Sequence, residues 1–214
     1  MSRSIAIVGN GSFAPSDASA IDKCDVVIRF NDCRSVGGGG LRTDVIAVCN
    51  TGRPAKSMIR QRSWREHPAI LQASALWCVR DGARFAELES LLTGQYPVLD
   101  DFCEDFTAEF ASFAAETEKA FTAIPRLYHD RLDRELQALT SESYIVPSSG
   151  LMAITYVIGE VAAAGDIVML AGFGHQGWNG HPFDAERDLI KSYVARGQLH
   201  RLHPFGKRAR QLQG

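Results

Sequence analysis

The sequence contains no long apolar run. Its hydrophobic stretches extend for only a few residues, far fewer than the roughly 20 that a membrane-spanning helix needs. It also has no excess of charge, because 23 Lys and Arg face 25 Asp and Glu, a net charge of −2. Nothing in this balance indicates nucleic acid or an anionic membrane as a partner. The first residues lead directly into a predicted strand without an apolar signal segment, so we expect a cytoplasmic protein.

Paired cysteines are missing as well. The five cysteines stand at scattered positions and no C-x-x-C pair occurs. The sequence therefore predicts neither a disulfide framework nor a zinc site, and most of these thiols are expected to be small buried hydrophobes.

Short β-branched segments dominate the first 80 residues, and helical or loop segments separate them. Strands are predicted at 4–9, 25–30, 43–50 and 74–79, with a helix at 15–24 and a T-G-R-P turn at 51–54. Such alternation is typical of an α/β fold with a parallel sheet. We expect a Rossmann-like, mostly parallel sheet flanked by helices, in a single domain that spans residues 1–214.

The rest of the chain continues this pattern with a larger share of helix. A helix is predicted at 82–92, a helical insertion at about 100–140, and an amphipathic helix at 181–197. A strand at 143–146 should lead through a P-S-S-G turn into a long apolar helix, followed by a strand at 167–173. A last short strand is expected near 198–202, and the basic tail 206–214 should fray.

The segment G-N-G-S-F-A at 9–14 follows the first strand and has the G-x-G-x-x-A form of a dinucleotide-binding turn. The second strand ends about 20 residues later at Asn31-Asp32, where a ribose-binding acid would stand. Asp17, however, would place a negative charge beside a bound pyrophosphate. The amide of Asn10, between Gly9 and Gly11, is well placed to bond a base, a ribose or a phosphate. These residues leave open a dinucleotide, another nucleotide, or a turn without a ligand.

Two further motifs precede predicted helices. Ser148, Ser149 and Gly150 begin one, where hydroxyl and free N–H groups can bind an anion or simply cap the helix. His181 begins the other in H-P-F-D-A-E, with Glu186 in the first turns. Histidine titrates near neutral pH and can remove a proton from a hydroxyl.

The glycine-rich loop before His181 is the last candidate. It holds His175 and Trp178, and loops between a strand end and a helix often carry substrate contacts.

Taken together, these motifs resemble the sialyl motifs of the sialyltransferase family. Residues 5–50, with the V-G-N-x-G-like turn and Arg29-Phe30-Asn31, resemble the long motif. Residues 147–174 resemble the small motif, and H-x4-E at 181–186 resembles the very small motif. The chain also resembles small rhizobial proteins labelled urease operon accessory protein, a label that reflects gene neighbourhood and implies no chemistry.

The resemblance implies the GT-A-like fold variant of sialyltransferases and an inverting glycosyltransferase that uses a CMP-activated acidic sugar, such as sialic acid or a Kdo-like sugar. It implies that the turn at Gly9–Gly11, Asn31 and Ser148–Gly150 hold the donor nucleotide and that His181 is the general base. Supporting roles fall to Arg29, His175, Trp178 and Glu186. No D-x-D triplet occurs, so we expect no metal and no cofactor besides the CMP-sugar. The expected acceptor is a glycan or a small molecule.

Two other hypotheses stay open at this point. One is a non-catalytic accessory or binding protein on the same scaffold. A nickel carrier should show a His-rich tract or a G-x4-G-K-[ST] loop, but the six histidines are dispersed and no such loop occurs. The other is an NAD(P)-binding enzyme, which should bind NADH and ignore CMP.

Overall fold

The computed structural model describes residues 2–96 and 99–202 and shows an α/β sandwich. Within this part of the chain the sheet has seven strands in the order β5-β4-β3-β2-β1-β6-β7, and every neighbouring pair is parallel. The strands are β1 Ser4–Val8, β2 Val26–Phe30, β3 Val45–Val48, β4 Ala75–Cys78, β5 Ala120–Ala123, β6 Ile167–Ala171 and β7 His200–Arg201. The predicted Rossmann-like fold is confirmed.

Helices cover both faces of this sheet. They are α1 Asp17–Asp22, α2 Gly52–Arg60, α3 Arg62–Arg65, α4 Pro68–Gln72, α5 Gly82–Gln95, α6 Thr107–Glu116, α7 Arg126–Gln137, α8 Ser149–Tyr156 and α9 Phe183–Ala195. A π-helical turn, Val157–Val161, extends α8. None of the helices in the described ranges is both long and apolar enough to cross a bilayer.

The core lies on both faces because strand side chains alternate. Ile5 and Ile7 of β1 enter one apolar cluster with α7, α8 and α9, whereas Ala6 and Val8 enter another beside α1. Strands buried on both faces are the reason that the predicted strands are nearly continuous apolar runs.

The chain order creates a switch point beside β1. From β1 the strands progress outward through β2 to β5, and the chain then returns to place β6 on the other side of β1. In open parallel sheets, ligands bind at such a point, at the carboxyl ends of the strands. The segments after β1, β2 and β6 all reach this edge.

Three local predictions are wrong. Residues 143–146 form no strand, because the N–H groups of Ile145 and Val146 donate to the carbonyl of Gly180 instead of to the sheet. The predicted helical insertion at 100–140 contains β5, which pairs with β4 as the edge strand between α6 and α7. The T-G-R-P stretch, predicted as a turn, begins α2. The basic tail lies outside the described residues.

Candidate functional site

A cleft of about 520 Å³ opens at the switch point. Every sequence-predicted site residue except Arg29 lines it: Gly9, Asn10, Gly11, Asn31, Ser148, Ser149, Gly150, His175, Trp178, His181 and Glu186. These residues come from four separate stretches of the chain, which the parallel sheet brings to one edge. The structure places them together; the ligand roles assigned to them stay predictions.

The glycine turn after β1 packs against the turn after β6. The N–H of Gly9 donates to Ala171 O at 2.9 Å and that of Gly11 to Gly172 O at 2.7 Å. A Cβ on Gly11 would lie 2.7 Å from Gly172 O, so only glycine fits here. In a dinucleotide-binding turn the glycine lets the backbone approach a pyrophosphate. Here the close approach is to protein backbone, and the exposed Asn10 side chain faces the cleft.

Asn31 ends β2 with a left-handed backbone, φ 52°. Its side-chain Oδ1 accepts the N–H of Cys49 at 2.8 Å, and its backbone carbonyl accepts Nε1–H of Trp64 at 2.9 Å. The bond to Oδ1 orients the side-chain amide, so its Nδ2–H₂ group is the part that remains to donate. An amide donor fits a carbonyl, a ribose oxygen or a phosphate oxygen.

The sequence left open whether Ser148 and Ser149 cap the helix or bind an anion, and the structure shows which of them is the cap. Ser148 is the N-cap of α8, since its Oγ accepts the N–H of Leu151 at 3.2 Å. The same hydroxyl donates to Glu186 at 2.7 Å, so it is occupied inside the protein. Ser149, in the first turn of α8, lines the cleft with its side chain.

The N-terminus of α8 borders this cleft. The N–H groups at the start of a helix have no intrahelical partner and carry partial positive charge. Gly150 is in this first turn, and a Cβ there would lie 2.5 Å from the Phe173 ring. Phe173 in turn packs edge-on against Phe30 at 5.8 Å. The glycine therefore allows the helix start to sit directly against the loop after β6.

Glu186 connects the starts of α8 and α9. It is 1% exposed and accepts both the N–H of Ser148 at 2.6 Å and its hydroxyl. Burial raises the pKa of this carboxyl, and the two hydrogen bonds from Ser148 oppose that rise. Glu186 is therefore a positioning residue that holds the helix N-terminus in place.

His181 has one ring nitrogen committed and one available. Its Nδ1 lies 2.8 Å from the carbonyl of Val146. A carbonyl only accepts hydrogen bonds, so Nδ1 carries the proton and Nε2 is the basic nitrogen of the neutral ring. Burial lowers the pKa of His181, the hydrogen bond to Val146 opposes this, and the charge of Arg80 lowers it further. The ring is thus kept neutral and able to accept a proton near pH 7.

His175 is unlike His181. It is 8% exposed, has a left-handed backbone, and its Nε2 lies 2.9 Å from Arg201 of β7. Burial lowers the pKa of His175 to about 4, and Arg201 contributes to the same shift. Because arginine can only donate, the ring nitrogen that would act as a base is already engaged. His175 is thus a structural residue that links the loop after β6 to Arg201 of β7.

Trp178 forms a wall of the cleft. Its ring centroid lies 5.0 Å from that of His181, edge to face, and 5.4 Å from that of Phe102. The ring is 40% exposed. An exposed aromatic face beside a candidate base is a surface on which a sugar can pack.

Arg29, predicted as a supporting contact, does not reach the cleft. It is fully buried, and its guanidinium donates to Arg42 O, Thr43 Oγ1, Ser35 Oγ and Gly39 O at 2.8–3.1 Å. These bonds fold the glycine-rich loop 31–42 back onto β2. The supporting role predicted for Arg29 is therefore not a contact in the cleft, because the side chain points from β2 into this loop.

One residue of the site was missed from the sequence. Arg80 follows β4 at the same edge of the sheet and borders a second lobe of about 300 Å³. This lobe shares Asn31, Ser149, Trp178 and His181 with the first. The rule that ligands bind beyond the carboxyl ends of parallel strands could have pointed to it. Within residues 2–96 and 99–202, no three His, Cys, Asp or Glu side chains cluster as metal ligands would.

Comparison with known proteins gives one strong relative. The chain is 54% identical over 203 residues to the urease operon 23 kDa accessory protein of Rhizobium meliloti strain 1021, a match that covers 95% of this chain and 94% of that protein. No family model matches the chain.

Solved structures with a similar fold include sialyltransferases. A mammalian sialyltransferase in complex with Gal-beta-1-3GalNAc-ortho-nitrophenol superposes with a TM-score of 0.58 at 19% identity, over 94% of this chain and 69% of that one. A second mammalian sialyltransferase structure gives 0.55 at 16% identity, over 94% and 68%. At these identities the likeness shows the fold alone, and it confirms the sialyltransferase-like scaffold.

Proposed function

The chain belongs to the family of the urease operon 23 kDa accessory protein, and we propose that it acts on its sialyltransferase-like scaffold as an inverting glycosyltransferase. The donor is a CMP-activated acidic sugar such as sialic acid or a Kdo-like sugar. The acceptor is a hydroxyl of a glycan or small molecule. His181 is the general base, and no metal is required.

One observation carries this proposal. His181 has its Nδ1 proton directed to Val146 O, which leaves Nε2 as a base in the same cleft as the N-terminus of α8. A displacement at an anomeric carbon needs a base for the attacking hydroxyl and stabilisation for the leaving anion. The cleft contains both.

The chemical step follows from these two groups. The acceptor hydroxyl attacks the anomeric carbon while its proton passes to Nε2 of His181. The new bond joins the anomeric carbon to the acceptor oxygen, and the bond from that carbon to the phosphate oxygen breaks. CMP leaves with both bonding electrons, and the N–H groups at the start of α8 stabilise its phosphate.

The remaining cleft residues fit the nucleotide. The free amide donor of Asn31 and the exposed side chain of Asn10 offer hydrogen bonds to the base and ribose, and the hydroxyl of Ser149 is near the phosphate position. Metal independence is consistent with the absence of D-x-D from the sequence. It is tested by measuring transfer in the presence of EDTA.

The deciding experiment is thermal unfolding of the purified protein with CMP, CDP, UMP, AMP or NADH. A ligand at about 100 times its Kd adds roughly 2.7 kcal/mol to the unfolding free energy. For a chain of this size the midpoint should rise by about 5–10 °C. We expect stabilisation by CMP and none by AMP or NADH. Stabilisation by NADH alone would contradict the proposal and favour the dinucleotide hypothesis.

A second candidate is a non-catalytic accessory role on the same scaffold, because the rhizobial relative is named an accessory protein. A protein of this kind would show no shift with any nucleotide. Tight stoichiometric binding in a nickel titration, together with an absent CMP shift, would support this candidate over the transferase.

A further inference from the structure

The second lobe of the site adjoins the main cleft, and the His181 and Trp178 rings line both. It is lined by the four shared residues and by Cys49, Arg53, Pro54, Arg80, Leu99, Asp101 and Phe102. The shared residues include the candidate base and the first residue of α8. A molecule in this lobe is therefore next to the His181 side chain that the proposed reaction uses.

Arg80 is the unusual group in this lobe. It is 6% exposed, and its guanidinium lies 4.6 Å from the Phe85 ring centroid and 5.0 Å from that of Phe102. Its Nη1 is buried without a hydrogen-bond partner. Among residues 2–96 and 99–202, no carboxylate forms an ion pair with it.

Neighbouring charges show that the lack of a partner is specific to Arg80. Arg84 pairs with Asp130 and Asp133. Asp101, the acid of the same lobe, accepts from Arg53 at 2.8 Å. These carboxylates are engaged with other cations, as is Asp100 with Arg53, so none of them is an ion-pair partner of Arg80.

Holding this charge inside the protein is unfavourable without an anion. Burying an ion is costly when no partner compensates it, and stacking of a desolvated guanidinium on aromatic rings offsets only part of that cost. The two rings also fix the plane of the guanidinium. A pre-oriented guanidinium is suited to bidentate bonding of a carboxylate or phosphate.

We propose that the second lobe is the acceptor subsite and that it selects an acceptor bearing a carboxylate or phosphate, which pairs with Arg80. This inference rests on the proposed function, in which CMP and its sugar occupy the main cleft. Trp178 and Phe102 supply apolar surface for the sugar ring of the acceptor, and the anionic group sets which hydroxyl faces His181.

The test compares matched sugars that differ in one charge. Galacturonate, galactose 6-phosphate and galactose are titrated by ligand-observed NMR into protein that is already saturated with CMP. We expect at least one anionic sugar to bind tenfold or more tightly than galactose, a difference of about 1.4 kcal/mol. The tighter of the two anions identifies carboxylate or phosphate as the preferred group.

Variants assign the preference to Arg80. Arg80→Met should abolish it, Arg80→Lys should retain part of it, and CMP affinity should stay unchanged in both. Arg65→Met is the matched control, because Arg65 also lies over an aromatic ring, Phe113, at 5.3 Å but borders neither lobe. This control should keep the full preference.

Several results would overturn the inference. Equal binding of galactose and both anionic sugars would do so, as would a preference that survives in Arg80→Met. A non-transferable 3-fluoro analogue of CMP-N-acetylneuraminic acid tests whether the anion that pairs with Arg80 is the carboxylate of the donor sugar instead. If Arg80→Met weakens binding of this analogue but not of CMP, Arg80 serves the donor carboxylate and the acceptor assignment is wrong. Failure of the wild-type protein to bind CMP would instead contradict the proposed function.

Discussion

The carboxylate of Glu186 accepts two hydrogen bonds from Ser148, one from the backbone N–H and one from the hydroxyl. Two helices, α8 and α9, are thereby joined at their N-termini, where partial positive charges would otherwise face each other. The geometry of the anion site depends on this buried acid, although the acid itself belongs to the opposite helix.

Glu186→Ala should therefore weaken both the fold and nucleotide binding. It leaves the N–H and hydroxyl donors of the partly buried Ser148 without their carboxylate acceptor, so we expect a loss of about 1–3 kcal/mol in unfolding free energy. Urea denaturation measures this loss, and the CMP-induced thermal shift should shrink with it. Glu109→Ala is the control, because Glu109 is an exposed acid in the first turn of α6. Equal effects of the two substitutions would refute the role given to Glu186.

Replacement of His181 separates chemistry from binding. Loss of a general base typically lowers the rate by about 10²–10⁴-fold, so His181→Ala should lose transfer from a CMP-sugar by that factor while CMP binding persists. His200→Ala, at an exposed position of β7, should transfer at the wild-type rate. Unchanged transfer by His181→Ala would eliminate His181 as the base.

The pH profile gives an independent check on His181. Its pKa is lowered by burial, so the neutral, basic form should persist below the usual histidine range. The acidic limb of kcat/KM should then have its midpoint below about 6.5. A midpoint above that value would be incompatible with the environment that the structure shows.

Stability should fall as the pH falls between about 6.5 and 4. Burial lowers the pKa of both His129 and His175 to about 4. In this window the unfolded chain binds protons that the folded chain does not, so the unfolding free energy decreases with decreasing pH. Each histidine contributes a slope of up to about 1.4 kcal/mol per pH unit.

Urea midpoints at pH 7, 5.5 and 4.5 measure this slope, and the His175→Gln variant tests one contribution to it. The variant cannot take up the proton, so its stability should depend less steeply on pH than that of the wild type. An equal slope in the two proteins would show that His175 does not contribute.

Arg29 and Arg80 provide a matched pair of buried arginines. Arg29→Met should cost about 2–4 kcal/mol, because Arg29 satisfies two carbonyls and two hydroxyls of residues 35–43. Arg80→Met should be neutral or stabilising, since it removes a charge without a carboxylate partner. Melting temperatures of the two variants decide the matter. A Tm of Arg80→Met several degrees below that of the wild type would mean that Arg80 is a structural residue.

The sequence allowed the sheet and most of the cleft to be predicted for a physical reason. Strands buried on both faces are short apolar runs, and their carboxyl ends meet at one edge, so Asn10, Asn31 and Ser149 had to converge. The edge strand β5 escaped prediction because it has four residues between two helices and is only partly buried. Its position depends on pairing with β4, which local pattern does not encode.

Long-range contacts account for the remaining errors. Ile145 and Val146 have strand-like side chains, but Gly180 takes their N–H groups. The R-x-N pattern drew attention to Arg29, whereas its acceptors lie 6–14 residues further along the chain. Arg80 belongs to no sequence motif. Its distinguishing features, the two phenylalanine rings beside it and the lack of a carboxylate partner among the described residues, are visible only in the structure.

The Trp178 ring lines both the main cleft and the second lobe. Two molecules bound on either side of one side chain cannot be energetically independent if either displaces it. The coupling free energy is the same whichever ligand binds first, so a nucleotide that changes affinity for the acceptor fivefold must have its own affinity changed fivefold in return. A single indole thus makes the coupling between the two substrates a measurable thermodynamic quantity of this protein.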